Sequence, residues 1–289
     1  MGSRALVLGG GGPVGIAWES GLLAGLARAG IDLGHADFIV GTSAGSFVGA
    51  RLALGAVTAD LAEPILADAA RPATQARRTS GGGRPPADLS KLMTLMAEAQ
   101  AGKRDPQAVR AEIGAFALRA STPGEADFIA SFGRAFAGLP EGAWPERGFA
   151  CTAVDAITGE FQLWTGESGV GVTRAVASSC SVPGVYPPIT LNGRRYIDGG
   201  MRSATNADMA KGHERVVVVA IRVGAGSPLD AEIEALKAGG AQVALITPGE
   251  ASLAAMGANL MDFRTRGPAA KAGLAQAEAE AAMLGAFWG

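Results

Sequence analysis

Two short apolar runs, each stopped by a turn of glycines and small residues and each followed by apolar positions at helical spacing, fill the first 54 residues of this chain. The first is RALVL (Arg4 to Leu8); four glycines separate it from GIAWESGLLAGLARAG, which is apolar from Ile16 to Leu26 and ends at Gly30. The second is ADFIV (Ala36 to Val40), which enters GTSAG and then a helix from Ala44 to about Leu54. Strand, tight turn and helix, repeated at once, dictate a compact βαβα start with both turns at the carboxyl edge of a parallel sheet.

Strand patterns resume later with GFACTAV (148–154), EFQLWT (160–165), RRYID (194–198), RVVVVAI (215–221) and AQVALIT (241–247), and helical patterns fill most of the gaps. The alternation predicts an α/β fold of three layers, α/β/α, around a mainly parallel central sheet. No strand pattern is clear between 56 and 140, where DLSKLMTLMAEA (88–99) and DPQAVRAEIGAFALRA (105–120) read as helices capped by Asp88 and Asp105. Residues 56–145 are therefore expected to form a helical insertion, a candidate lid, within one domain spanning 1–289. The Ala-rich tail AGLAQAEAEAAMLGAFWG (272–289) reads as a helix packed on the domain or in a homodimer, with membrane-interface contact by Phe287 and Trp288 as the alternative.

A net charge of −2 gives no electrostatic footprint for nucleic acid, and no zinc-finger or helix-turn-helix spacing is present. Neither H-E-x-x-H nor EF-hand spacing occurs, so metal-independent, cofactor-free chemistry is expected. Cys151 and Cys180 show no ligand spacing and read as packing residues of a reducing compartment. No apolar run reaches the roughly 18 to 20 residues of a membrane span, and glycines interrupt the apolar N-terminus, so a cytoplasmic protein is expected. One stretch carries a basic excess: Arg71, Arg77, Arg78, Arg84, Lys91, Lys103, Arg104 and Arg110 face only Asp88, Glu98 and Asp105. It reads as a solvated face, with transient contact to an anionic lipid surface as the sharper alternative.

Gly10, Gly12 and Gly15 have G-x-G-x-x-G spacing between strand and helix, the context of a dinucleotide fingerprint. A nucleotide-binding protein, the competing reading, also needs an acid at the end of the second strand; that position holds Val40, Gly41, Thr42 and Ser43, whereas Asp32 and Asp37 lie before it or at its start. The same inward-turned N–H groups can instead form an oxyanion hole. GTSAG, with Ser43 between Gly41 and Gly45, has the strand-turn-helix context of a nucleophile elbow, and together the two turns point to acyl transfer. A serine needs a base, and both histidines are badly placed: His35 precedes the strand whose far end carries Ser43, and His213 also precedes a strand. The carboxylate candidate is Asp198. ITLNGRRYID reads as a hairpin turning at Asn192 and Gly193, so Asp198 ends its second strand and Gly199 and Gly200 follow.

With these residues the chain resembles the patatin-like phospholipase family, whose signatures are a glycine-rich oxyanion loop, G-x-S-x-G and D-G-G or D-G-A, here in family order. The resemblance extends to ASSCSVPGVYPP (177–188) and is weak over the helical insertion. It implies a patatin-like fold and a serine acyl hydrolase cleaving lipid esters. In it Ser43 is the nucleophile, Asp198 completes a Ser-Asp dyad, and Gly10, Gly11 and Gly12 supply the oxyanion N–H groups. One departure stands out: many members carry Arg or Lys before the last glycine of the loop, where this chain has Val14. That removes a positive charge from the loop without touching the acyl chemistry. A catalytically silent scaffold is the remaining alternative, and the intact Ser43, Asp198 and glycine loop argue against it.

Overall fold

The computed structural model describes residues 2–71, 102–221 and 227–289, with Leu92, Thr94, Leu95, Ala97 and Glu98 between the first two segments. The expected Asp88 cap and the basic residues Arg77, Arg78, Arg84 and Lys91 lie outside the described residues. In chain order the strands are β1 (Arg4–Leu8), β2 (Phe38–Gly41), β3 (Gly148–Asp155), β4 (Phe161–Trp164), β5 (Ile189–Leu191), β6 (Arg194–Asp198), β7 (Arg215–Val219) and β8 (Gln242–Ile246). The described helices are α1 (Gly12–Arg28), α2 (Ala44–Ala53), α3 (Glu63–Ala69), α4 (Pro106–Arg119), α5 (Glu125–Ser131), α6 (Val172–Ser179), α7 (Leu229–Ala238), α8 (Glu250–Met256) and α9 (Arg266–Trp288).

The strands form one sheet in the order β5-β6-β3-β2-β1-β7-β8, with β4 added on β3. β1, β2, β3, β7 and β8 pair in parallel, while β4, β5 and β6 are antiparallel. Its two faces carry separate apolar clusters, one centred on Leu6, Leu8, Trp18 and Ile39, the other on Ala5, Val7, Val40 and Val218. Alternate residues of β1 and β2 thus point to opposite layers, as the period of a strand requires. β2 starts later than expected, at Phe38, because Leu33–His35 form a 3-10 turn capped by the Asp32 carboxylate on Gly34 N–H at 2.8 Å.

Antiparallel β6 matters most for function. β2 runs parallel to β3 and ends with Gly41 opposite Cys151, whereas β6 runs the other way and ends with Asp198 opposite Ala153. Two strand ends therefore converge on β3 only two residues apart. The β5-β6 turn puts Asn192 at φ 49° and Gly193 at φ 75°, as a type I′ turn demands.

Within 56–145 the described residues form helices and no strand. Asp105 caps α4 through Ala108 N–H at 2.8 Å, and Val109 and Ile113 of that helix pack on Val154 and Ile197. Arg104 pairs with Glu112 at 2.8 Å and Glu98 at 3.3 Å, so part of the basic excess is matched locally. α9 lies against α1 at close range: a Cβ on Gly21 would sit 2.1 Å from Ala270 O, and one on Gly273 2.3 Å from Trp18 O. Trp288, at the end of α9, is 3% exposed and donates to Asp32 O at 3.3 Å, so the tail packs on this domain. Among the described residues no helix is long and apolar enough to cross a membrane.

Candidate active site

Ser43 occupies the turn between β2 and α2 with φ 52° and ψ −115°, a conformation that non-glycine residues seldom adopt and that costs energy to hold. The turn is imposed by close packing on both sides. A Cβ on Gly45 would lie 2.1 Å from Leu8 O, and one on Gly41 2.4 Å from Gly45 O. Gly45→Ala is therefore expected to lose about 2 to 3 kcal/mol of stability, the upper range for overpacking, read as a lower midpoint in urea unfolding. An unchanged midpoint would mean that the elbow has slack.

Further hydrogen bonds fix the elbow. Ser43 N–H donates to Ser179 Oγ at 2.9 Å, Ser46 Oγ donates to Ser43 O at 2.6 Å, and Cys180 Sγ donates to the same oxygen at 3.2 Å. The Asp198 carboxylate lies close enough to Ser43 for the serine hydroxyl to favour its ionised form. Asp198 is 2% exposed and accepts Gly200 N–H at 2.7 Å. Burial pushes its pKa up to about 7, with Ser43 and Gly200 opposing the shift. Asn206 ties the two motifs together: its side-chain amide donates to Thr42 Oγ1 at 3.0 Å, Ser203 O at 2.8 Å and Gly199 O at 3.3 Å. Thr42 and Thr152 complete that network with an Oγ1 to Oγ1 contact of 2.9 Å.

The glycine loop lies against the elbow; a Cβ on Gly10 would be 3.4 Å from Ser43 Cβ. Its donors are not equivalent. Gly10 N–H donates to Ala204 O at 2.7 Å, which removes it from the three donors expected for an oxyanion. Gly11 and Gly12, at the N-terminus of α1, have N–H groups without an acceptor among the described residues. Gly12 has φ +59°, and Gly15 packs on Ile221 Cδ1 and Ala44 Cβ. Val14, where many family members have a cation, is fully buried. Gly199 is held by Thr152, whose Oγ1 would be 2.2 Å from a Cβ there.

Both histidines sit at the opposite edge. His213 stacks on Phe38, the first residue of β2, at 5.2 Å, and exposed His35 pairs with Asp32 at 2.8 Å. Asp37 accepts Arg4 N–H at 2.7 Å, so both acids near β2 are engaged far from the glycine loop. Cys151 and Cys180 are buried with thiol pKa values raised by burial. Among the described residues no group of three or more His, Cys, Asp or Glu could hold a metal ion. In the sequence Cys180 reads only as a packing residue, and neither Ser179 nor Asn206 stands out. Their contacts with Ser43 and Thr42 cross 136, 137 and 164 positions, and small polar side chains carry no local signal of such partners.

A cavity of about 850 Å³ opens beside Ser43. Ile16, Phe47, Phe128, Phe132, Tyr186 and Met261 supply much of its apolar wall, and Gly12, Ala44 and Cys180 line it near the serine. A carbonyl placed there meets the Ser43 hydroxyl, a buried acid and the two unbonded N–H groups at the N-terminus of α1, which is the constellation for acyl transfer. Comparison with solved structures finds VipD from Legionella pneumophila at 14% identity and TM-score 0.47, covering 99% of this chain and 67% of that one. It also finds the type III effector protein ExoU at 17% identity and TM-score 0.37, covering 96% of this chain and 53% of that one. These likenesses are too distant to bear on mechanism. A search of curated proteins gave no match. The model of the patatin-like phospholipase family matches residues 6–211. With more than half of its length so matched, the chain belongs to the patatin-like phospholipase family and is a lipid acyl hydrolase.

Proposed function

We propose that the protein hydrolyses carboxylic esters of lipids through a Ser43–Asp198 dyad and an acyl-enzyme. The observation that carries the reading is a buried carboxylate within electrostatic reach of the Ser43 hydroxyl, with Ser43 held in a strained elbow at the wall of a large apolar cavity. Ser43 Oγ attacks the ester carbonyl as its proton passes to Asp198. The developing oxyanion is held by Gly11 and Gly12 N–H, and collapse expels the alcohol, which takes the proton from Asp198. Water then repeats the sequence, with Asp198 as base, and frees the acid. An ordinary aspartate, with a pKa near 3.9, would be too weak a base; burial brings Asp198 close to the neutral range where proton transfer is most effective. Apolar side chains from segment 56–145, Phe128 and Phe132 among them, serve as the cover that keeps water from the carboxylate and receives the acyl chain.

The test is reaction of the purified protein with a fluorophosphonate probe, followed by peptide mass spectrometry. Label on the peptide containing Ser43 is expected, together with turnover of a fluorogenic lipid ester. Label elsewhere, or none, would sink the reading. The donor assignment has its own test. In Gly12→Ala the new Cβ would meet Leu260 O at 2.8 Å and Met261 Sδ at 2.9 Å, at a φ that alanine resists. Displacing one oxyanion donor should lower kcat by about 100- to 1000-fold without changing which residue is labelled. A kcat within threefold of wild type would take Gly12 out of the hole.

A further inference from the structure

The wall of the cavity beside Ser43 contains a hydroxyl that the mechanism does not use. Exposed charged residues, Arg71, Asp127 and Arg134 among them, mark the mouth of the cavity, while Ser43, Cys180, Phe128 and Phe132 are buried at its inner end. Among the described residues three lining side chains carry a hydroxyl: Ser43, Ser131 and Tyr186. Ser43 is the nucleophile, and Ser131 Oγ donates to Phe128 O at 2.6 Å. Tyr186 differs from both. It is half-buried, its phenol is not sealed off from the cavity, and that phenol has no hydrogen-bond partner among the described residues. The ring is nonetheless fixed: it stacks on Phe128 with centroids 4.3 Å and planes 15° apart, and Phe128 packs edge-on against Phe132 at 5.2 Å. The phenol also lies toward the reacting end. Burial raises its pKa, and the Cys180 thiol, which donates to Ser43 O at 3.2 Å, is near enough to raise it further.

An unsubstituted acyl chain laid along this wall strips water from the Tyr186 hydroxyl and gives it no partner in exchange, and stranding a hydroxyl in that way costs more than an ordinary hydrogen bond gains. A chain with a hydroxyl at the same depth pairs with it instead. We propose that Tyr186 is a specificity-determining residue of this cavity, whose phenol O–H meets a hydroxyl on the acyl chain near the ester carbonyl and so selects hydroxyacyl esters over unsubstituted esters of the same length. The proposal rests on the hydrolase reading for its kinetic half alone. The depth follows from the neighbours: the acyl carbon sits at Ser43, Cys180 stands beside it and Tyr186 next to Cys180, so the phenol meets the carbonyl end of the chain rather than its tail. Stacking on Phe128 holds the ring before substrate arrives, which spares the bound state the loss of side-chain freedom. A pocket built to hydrogen-bond a substrate hydroxyl also rejects the analogue lacking it far more strongly than an apolar pocket tells one methylene from none.

The experiment compares the umbelliferyl esters of lauric, α-hydroxylauric and β-hydroxylauric acid, which share one leaving group and one chain length, on wild type and Tyr186→Phe. In wild type at least one hydroxylated ester is expected to have a higher kcat/KM than the laurate. In Tyr186→Phe the ratio of that ester to the laurate should fall about tenfold or more, with the laurate hydrolysed faster than by wild type because the stranded hydroxyl is gone. A merely structural role would slow all three esters alike. A wild type that prefers the laurate to both hydroxylated esters, or ratios left unchanged by Tyr186→Phe, overturns the proposal. Thermal unfolding checks the premise: Tyr186→Phe should keep the wild-type midpoint. A fall of about 2 °C or more, the size for one lost hydrogen bond in a chain of this length, reveals an internal partner for the phenol and also overturns it. A further arm needs no turnover: calorimetric binding of the three free acids to Ser43→Ala, with and without Tyr186→Phe. A hydroxylated acid is expected to bind more tightly than lauric acid only where Tyr186 is present, and the same preference in both proteins sinks the proposal. If wild type turns over none of the esters, the hydrolase reading has failed and the binding arm alone decides Tyr186.

Discussion

Ser43→Ala is expected to lower kcat for lipid-ester hydrolysis on the order of 10⁶-fold, as loss of the serine nucleophile does in a serine hydrolase, and to abolish fluorophosphonate labelling. The size follows from what surrounds the serine. Ser46 gives its hydroxyl proton to Ser43 O, Cys180 its thiol proton to the same oxygen, and Ser179 accepts Ser43 N–H. Each neighbouring hydroxyl or thiol is thus occupied in holding the elbow, and burial keeps the Cys180 thiol protonated. No substitute nucleophile stands where the acyl carbon would sit. Intact-protein mass spectrometry after incubation with substrate and probe checks this, alongside initial rates. Activity within tenfold of wild type would show that the chemistry lies elsewhere.

Asp198→Asn is expected to cost on the order of 10⁴-fold in kcat, the scale seen when a catalytic aspartate becomes an amide, and to change the pH profile. In wild type, kcat/KM should rise with pH through about 7 and level off above it, because Asp198 accepts the proton only when ionised. The residual activity of the variant should lack that step. Stability moves the other way. The folded pKa is raised above the unfolded value near 3.9, so the folded state holds a proton that the unfolded state has released. Its contribution is fully present below the unfolded pKa and is lost as pH rises through about 7. Asparagine carries no charge to bury, so the melting temperature of Asp198→Asn relative to wild type should be higher at pH 8 than at pH 5. A constant difference across that range would mean that Asp198 is not the titrating group.

The legible parts of this protein are those whose causes are local. RALVL and ADFIV read as strands because apolar runs end at turn residues, and the structure places β1 at Arg4–Leu8 and β2 at Phe38–Gly41, two positions late at its start. Asp105 announced α4 by its capping chemistry. The hairpin at Asn192-Gly193 was readable because few residue pairs accept two positive φ angles in succession. Gly10 was less so: its N–H points to Ala204 O, a partner 194 positions away, and nothing in a glycine run says which of its donors will be consumed internally.

What the sequence determined by itself was the presence of two βα turns, a strand-end aspartate and the glycines that let the backbone close around a serine. Their meeting was decided by tertiary structure. Asp198 comes near Ser43 because β6 pairs antiparallel to β3 and ends opposite Ala153, while parallel β2 ends opposite Cys151, so two strand ends 157 positions apart in sequence become neighbours. The basicity of Asp198 is likewise a product of packing, since only burial raises a carboxylate that its own hydrogen bonds would lower. Local sequence can specify turns through backbone sterics; the register of distant strands and the dielectric around a side chain exist only once the chain has closed on itself.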